Sequence, residues 1–394
     1  MGRSIKIDVN INLYKIENYL QTLKSIPEQE VDFVIPANIN LTGFGSFPLL
    51  FLLFYTWLRS KKGRLMIDIN TEDNELLRNF SGNYIGYTLL LSAWNYRSIV
   101  DIEGIDIKKR FRKFTQQLYN KIDFLQDLPN DNLLIPIFDH YSKDRGLSHW
   151  FYNENFQFYK SPEQLDNTIY RIFSELSKIY KSRFKHNTKS VYEDLQVIVW
   201  ELMSNTHYHA TKDYLNQAEL SPNLRGLYLK IHRASKENLI KQANEYEGLS
   251  AYYNRIIPND NANFILELSV FDSGPGLAKR FLGQKWTPEL SVSEEVSVVK
   301  QCLWRGSSSV HGANGIARGF GLDNVLSTLS KKRGFLIIRS GKVSLYRDLD
   351  KSPHLSTNNP LTIELQDALT NKIAEYTKMP EAVGSMITMS YPLF

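Results

Sequence analysis

Apolar positions along the chain fall into short continuous runs and helical stripes. Val31 to Ile35 is a short apolar run and predicts a strand. Phe47 to Leu58 is the most apolar run, with Pro48 where a first helical turn accepts it. The turn Arg59-Ser60-Lys61-Lys62-Gly63 is a basic, glycine-ended helix stop, and Arg64 to Ile69 predicts a second strand. Strand, helix and strand of these lengths predict a right-handed βαβ unit, with Gly43 and Gly45 breaking the loop before the helix. Tyr84 to Leu91 suits either a helix or a buried strand. Lys108 to Asp123 predicts a helix, and Leu133 to Phe138 a strand that Pro136 places at a sheet edge.

In the second half, Ser161-Pro162-Glu163-Gln164 reads as a capped helix start. Leu165, Ile169, Ile172, Phe173, Leu176 and Ile179 follow at helical spacing, and His186-Asn187-Thr188 turns the chain. A second amphipathic helix starts near Ser190, with Leu195, Ile198, Val199 and Leu202 on its buried side. Gly226 to His232 and Phe264 to Phe271 predict strands. Between them lies a polar, tyrosine-rich insert, in which Lys236 to Tyr246 predicts a helix. From Gly276 to Arg318 the chain is polar and weakly periodic, and an amphipathic helix then runs through Leu329. Gly334 to Arg339 and Val343 to Tyr346 predict a hairpin around Ser340-Gly341-Lys342; a helix is expected within Leu361 to Tyr376. The absence of a glycine-rich or Pro/Ser-rich linker leaves the boundary between two domains within residues 145–160. The division is written as 1–150 and 151–394.

The chain has 394 residues, 42% hydrophobic and 23% charged, an ordinary globular balance for two domains. The net charge of +5 lacks the clustered basic field of a dedicated nucleic-acid binder, so nucleic acid is not indicated; an acidic ligand is compatible. Cys302 is the single cysteine, which excludes an intramolecular disulfide and points to a reducing, cytoplasmic setting. Phe47 to Leu58 is too short to cross a bilayer, and no membrane association is expected. No secretory signal is expected either, and Lys6 stands where a myristoylation motif needs Ser or Thr.

Chemistry concentrates in three blocks. The first, Glu-Leu-Met-Ser-Asn-Thr-His-Tyr-His-Ala at 201–210, lies on the second amphipathic helix. Spacing of four puts Glu201, Asn205 and His209 on one face. Such a row is costly to bury without partners. His207 and His209 alternate and do not converge, which argues against a zinc site. The second block, Asp272-Ser273-Gly274-Pro275-Gly276, follows a strand; an Asx turn would use the same residues. The third, Gly319-Phe320-Gly321-Leu322, opens a helix, with no strand immediately before it as a Rossmann motif would require. In this order the blocks resemble the N box and the two glycine boxes of the GHKL ATPases: gyrase, the heat-shock chaperones, histidine kinases, MutL and the anti-sigma-factor serine kinases. The Glu-Leu-x-x-Asn-x-x-x-His-Ala form, and the tail strand Gly384 to Leu393, resemble the anti-sigma serine kinases most. The resemblance covers roughly Ser161 to Phe394.

The resemblance implies an α/β protein whose C-terminal domain is a two-layer sandwich of the Bergerat type, a mixed sheet with helices on one face. It implies ATP and Mg²⁺ as ligands. Asp272 would accept from the adenine amine, with Gly274 and Gly276 letting backbone pass close to the nucleoside. Asn205 would hold Mg²⁺ through its amide oxygen. Glu201 would be the general base toward water or a Ser/Thr hydroxyl. His209 would face the phosphates or cap its helix. Gly319, Gly321 and Leu322 would place backbone amides at the phosphates, joined by Arg318 and Arg305. Residues 277–320 would form an ATP lid. The insert at 235–260 departs from the simpler kinases and is open to three readings: partner surface, part of the nucleotide mouth, or ornament. The function implied is a slow ATPase or protein Ser/Thr kinase that switches an unidentified protein partner. A MutL-like dimerising clamp or a silent nucleotide adaptor is the alternative, and a homodimer is left open. A phosphoacceptor histidine box and a Walker A loop are both absent. Residues 31–69 resemble a STAS domain loosely, with Thr42 and Ser46 as the local hydroxyls; a generic α/β unit fits equally.

Overall fold

The computed structural model describes residues 3–69, 74–126, 128, 132–176, 178, 188–260, 262–304, 321–355, 357 and 359–393. The first part of the chain runs β1 (Arg3–Lys6), β2 (Asn10–Ile11), α1 (Leu13–Ser25), β3 (Val31–Pro36), β4 (Asn40–Leu41), α2 (Ser46–Ser60), β5 (Leu65–Asp68), α3 (Asn74–Ser81), α4 (Tyr84–Ala93), β6 (Ile99–Asp101) and α5 (Lys108–Phe124). It continues through β7 (Asn132–Phe138), α6 (Lys143–Gly146), α7 (Asp166–Leu176), α8 (Thr188–His209), β8 (Leu224–Ala234), α9 (Lys236–Gln242), α10 (Glu247–Ile256), β9 (Asn263–Asp272), α11 (Leu277–Leu282) and α12 (Val292–Cys302). The last part holds α13 (Gly321–Lys331), β10 (Phe335–Gly341), β11 (Val343–Asp348), β12 (Gln366–Asp367) and β13 (Ala382–Pro392).

The N-terminal sheet has the order β1-β3-β5-β6 and is parallel. The expected strand, helix and strand are β3, α2 and β5. Every residue of α2 from Ser46 to Leu58 is buried, which explains why it is apolar all round. The ambiguous stretch at Tyr84 is helix α4. Asn83 caps it by accepting from the Gly86 amide at 2.8 Å. Gly86 is required there, since a Cβ would lie 1.9 Å from the Phe80 carbonyl oxygen.

The second sheet has the order β12-β11-β10-β13-β9-β8-β7. The mixed sheet expected from the sequence is instead antiparallel at every one of these pairings. The tail causes this, because β13 inserts between β9 and β10 and runs antiparallel to both. Residues 132–138, assigned by sequence to the N-terminal unit, are the edge strand β7. Pro136 is tolerated opposite Gly226 there, where one side needs no ladder bond.

Helices on one face only were also expected, and the sheet is covered on both. One face packs Leu227, Leu268, Ile338 and Met389 against Leu195, Ile198 and Leu202 of α8 and Val325 and Leu329 of α13. The other packs Ile265, Phe271, Ile337 and Met386 against α2 and against Leu249 and Tyr252 of α10. Phe47 stacks on Tyr228 at 4.1 Å between ring centroids, and Phe51 on Phe271 at 5.7 Å. Burial on both faces replaces strict alternation with runs such as Ile265–Leu266.

The insert forms α9 and α10 on that back face, so the single helix expected from Lys236 to Tyr246 stops at Gln242. The stretch expected to form a lid is more regular than its weak periodicity suggests. Residues 277–302 hold helices α11 and α12, and α12 starts with a complete capping box between Ser291 and Glu294. The Ser-x-x-Glu pattern was present in the sequence and outweighs the weak periodicity. Residues 305–320, with Arg305, Arg318 and Gly319, lie outside the described residues. Leu361 to Tyr376 holds the end of a 3-10 turn and β12 in place of the expected helix. Asp367 accepts from the Leu369, Thr370 and Thr377 amides there, a side-chain competition that opposes helix. Among the described residues no helix is long and apolar enough to cross a membrane.

Candidate functional site

Helix α8 lays its apolar side on the sheet, which turns the row Glu201, Asn205 and His209 toward the start of α13. Glu201 is buried, and its Oε1 accepts from Asn324 Nδ2 at 2.7 Å. Burial raises the Glu201 pKa, opposed by that hydrogen bond. Gly321 opens α13 against the same carboxyl group: a Cβ there would lie 2.8 Å from Glu201 Oε2 and 3.6 Å from Asn205 Nδ2. Glycine at this position lets the helix N-terminus approach the α8 row.

Strand β9 ends at Asp272, paired with Ser385 on β13 and Arg225 on β8. Its Oδ1 accepts from the Gly274 amide at 2.7 Å, so the Asx turn is present. Its Oδ2 accepts from Ser385 Oγ at 2.5 Å. Burial pushes this carboxyl above its ordinary range; the Ser385 and Gly274 hydrogen bonds and the charges of Arg225 and Arg59 oppose the shift. Each carboxyl oxygen can accept more than one hydrogen bond. The loop is close-packed: a Cβ on Gly274 would lie 2.7 Å from Ala210, just beyond α8.

These elements enclose a cleft with about 900 Å³ of empty space, part of it open to solvent. Asn205, His209, Asp272, Gly276, Gly321 and Leu322 all line it. Glu201 adjoins its Gly321 wall, and Gly274 sits behind Asp272. Arg280, Cys302, Trp304 and Ser385 also line it and were not singled out by sequence. Ser385 had a signal in the small pair Gly384-Ser385 of the tail strand. Arg280 lies one turn beyond Gly276 on α11, but nothing in its spacing marks it. His207 points elsewhere, its Nδ1 2.9 Å from the Tyr152 hydroxyl and its ring stacked on Phe158.

Gly384 has φ +85°, and a Cβ there would lie 1.9 Å from the Asp272 carbonyl oxygen. The variant Gly384→Ala should lose about 1–3 kcal/mol from the backbone conformation alone. The clash adds to this, and urea unfolding of the purified variant measures the total. A stability equal to wild type would show that β13 can shift away from Asp272. No protein-family model matches the chain, and neither do curated proteins nor solved structures.

Proposed function

We propose that the chain is a Mg-ATP-binding enzyme of the GHKL type, which hydrolyses ATP slowly or transfers its γ-phosphate to a protein Ser or Thr. One observation carries the reading. Three segments far apart in sequence, 201–209, 272–276 and 321–322, meet at one cleft in the order the resemblance assigns.

The donor chemistry fits the ligands. Asp272 offers buried acceptor capacity to an exocyclic amine, and Ser385 and Gly274 hold its orientation. Asn205 would hold Mg²⁺ by its amide oxygen, and the bound ion would neutralise charge at the phosphates. The α13 N-terminus presents backbone amides on the same side. Glu201 would take the proton of the attacking water or hydroxyl. Asn324 fixes one of its oxygens, and burial raises its basicity toward the working range of a general base.

The test is calorimetric titration with Mg-ATP alongside release of labelled γ-phosphate. Saturable binding at one site with slow release supports the enzyme. Binding without release, even with candidate protein substrates present, would leave a nucleotide adaptor. Failure to bind would remove the reading.

A further inference from the structure

We propose that Arg59, at the C-terminal end of α2, is a positioning residue for the loop that carries Asp272, so that the N-terminal unit completes the nucleotide cleft. The inference rests on the nucleotide reading above and adds to it a role for the first sheet and its helices.

Arg59 leaves its own unit to reach the second one. Its guanidinium donates to the Ser273 carbonyl oxygen, to the Pro222 carbonyl oxygen at 2.8 Å and to Asn223 Oδ1 at 3.1 Å. Asn223 is fully buried and ties these elements together. Its amide donates to Asp139 Oδ2 at 2.7 Å and to the Ala210 carbonyl oxygen at 3.0 Å, beside the end of α8. Ser273 Oγ donates to Asn223 Oδ1 at 2.9 Å. One guanidinium therefore joins the Asp272 loop, the start of β8 and the C-terminal end of the α8 row.

The same helix holds the other flank of Asp272. Thr56, three residues before Arg59, accepts from the Val383 amide at 2.9 Å. Val383 precedes Gly384 and Ser385, and Ser385 donates to Asp272 Oδ2. Asp272 is thus fixed on both sides by residues that α2 contacts.

The choice of arginine is informative. Its planar fork satisfies acceptors in several directions at once, which an ammonium cannot do in a fixed geometry. Desolvation lowers its pKa to about 10, so it stays a cation at neutral pH. That charge favours the ionised form of Asp272, the form that only accepts hydrogen bonds.

The experiment compares wild type with Arg59→Gln and Arg59→Lys in the full chain. Hydrogen exchange is followed in the ligand-free proteins, and Mg-ATP affinity and turnover in the same preparations. Arg59→Gln should accelerate exchange in residues 271–277 and leave the α8 core at 195–203 unchanged. It should weaken Mg-ATP binding about tenfold, as expected for one lost charge-assisted network, with turnover at saturation little changed. Arg59→Lys should recover part of the affinity. A merely structural arginine would instead lower the melting temperature and raise exchange throughout. Folded variants that exchange and bind like wild type would overturn the positioning role and leave the nucleotide reading standing. A wild type that binds no ATP would overturn both. If Arg59→Gln does not fold, the Lys variant decides by the same exchange and affinity comparison.

Discussion

Asp272→Asn is expected to weaken Mg-ATP binding by about 100-fold or more, the cost of turning a buried charged acceptor into a donor that faces another donor. The substitution is nearly isosteric, and the surrounding bonds survive it. The asparagine oxygen can still accept from the Gly274 amide, and its NH₂ can donate to Ser385 Oγ. The second hydrogen of that NH₂ then meets the adenine amine. The fold should not suffer. Burial raises the Asp272 pKa, so the folded state penalises the ionised form at neutral pH. The sign follows: this group's contribution to stability rises as pH falls through its raised pKa toward the ordinary value of 3.8. Asp272→Asn lacks that dependence and should be at least as stable as wild type near neutrality. Calorimetry and urea unfolding across pH measure the two effects. Unchanged affinity would show that Asp272 makes the Asx turn alone.

Glu201→Gln is expected to bind Mg-ATP within a few-fold of wild type and to release phosphate about 10²–10⁴ times more slowly, the range for loss of a general base. Glutamine can still accept from Asn324 Nδ2, so the contact between α8 and α13 is kept. Only proton acceptance is lost. The wild-type rate should fall as pH drops through the Glu201 pKa, because the protonated acid cannot act as a base. Burial places that acidic limb above the ordinary glutamate value of 4.5. Stopped or single-turnover phosphate release across pH checks both the loss and the limb. Full turnover by Glu201→Gln would assign the base elsewhere.

Legibility differed from element to element. Helix α8 was readable because its apolar stripe and polar row share one period, and it spans Thr188–His209 as that period requires. The β10–β11 hairpin was readable from Ser340-Gly341-Lys342, and Gly341 takes φ +52° there. Helix α12 was legible only in its Ser291–Glu294 capping box, because the residues that follow carry too weak an apolar period to mark a helix by themselves. The helix expected near Leu361 was outcompeted by local hydrogen bonds to Asp367, which no hydrophobic pattern records.

The sequence by itself determined the βαβ unit, the α8 row and the Asx turn at Asp272, because these depend on periodicity and on turn chemistry within a few residues. It also determined that Pro136 sits at a sheet edge, since a residue without an N–H is confined there. Only the tertiary structure decided that β7 leaves the first unit for the second sheet, that β13 enters between β9 and β10, and that α2 covers the back of that sheet. It alone brought Ser385 to Asp272 and Arg59 to Ser273, contacts across more than 100 residues of chain. Strand order and inter-unit packing are chosen by the total apolar surface buried and by which buried polar groups find partners. Those sums run over the whole chain, and no local window contains them.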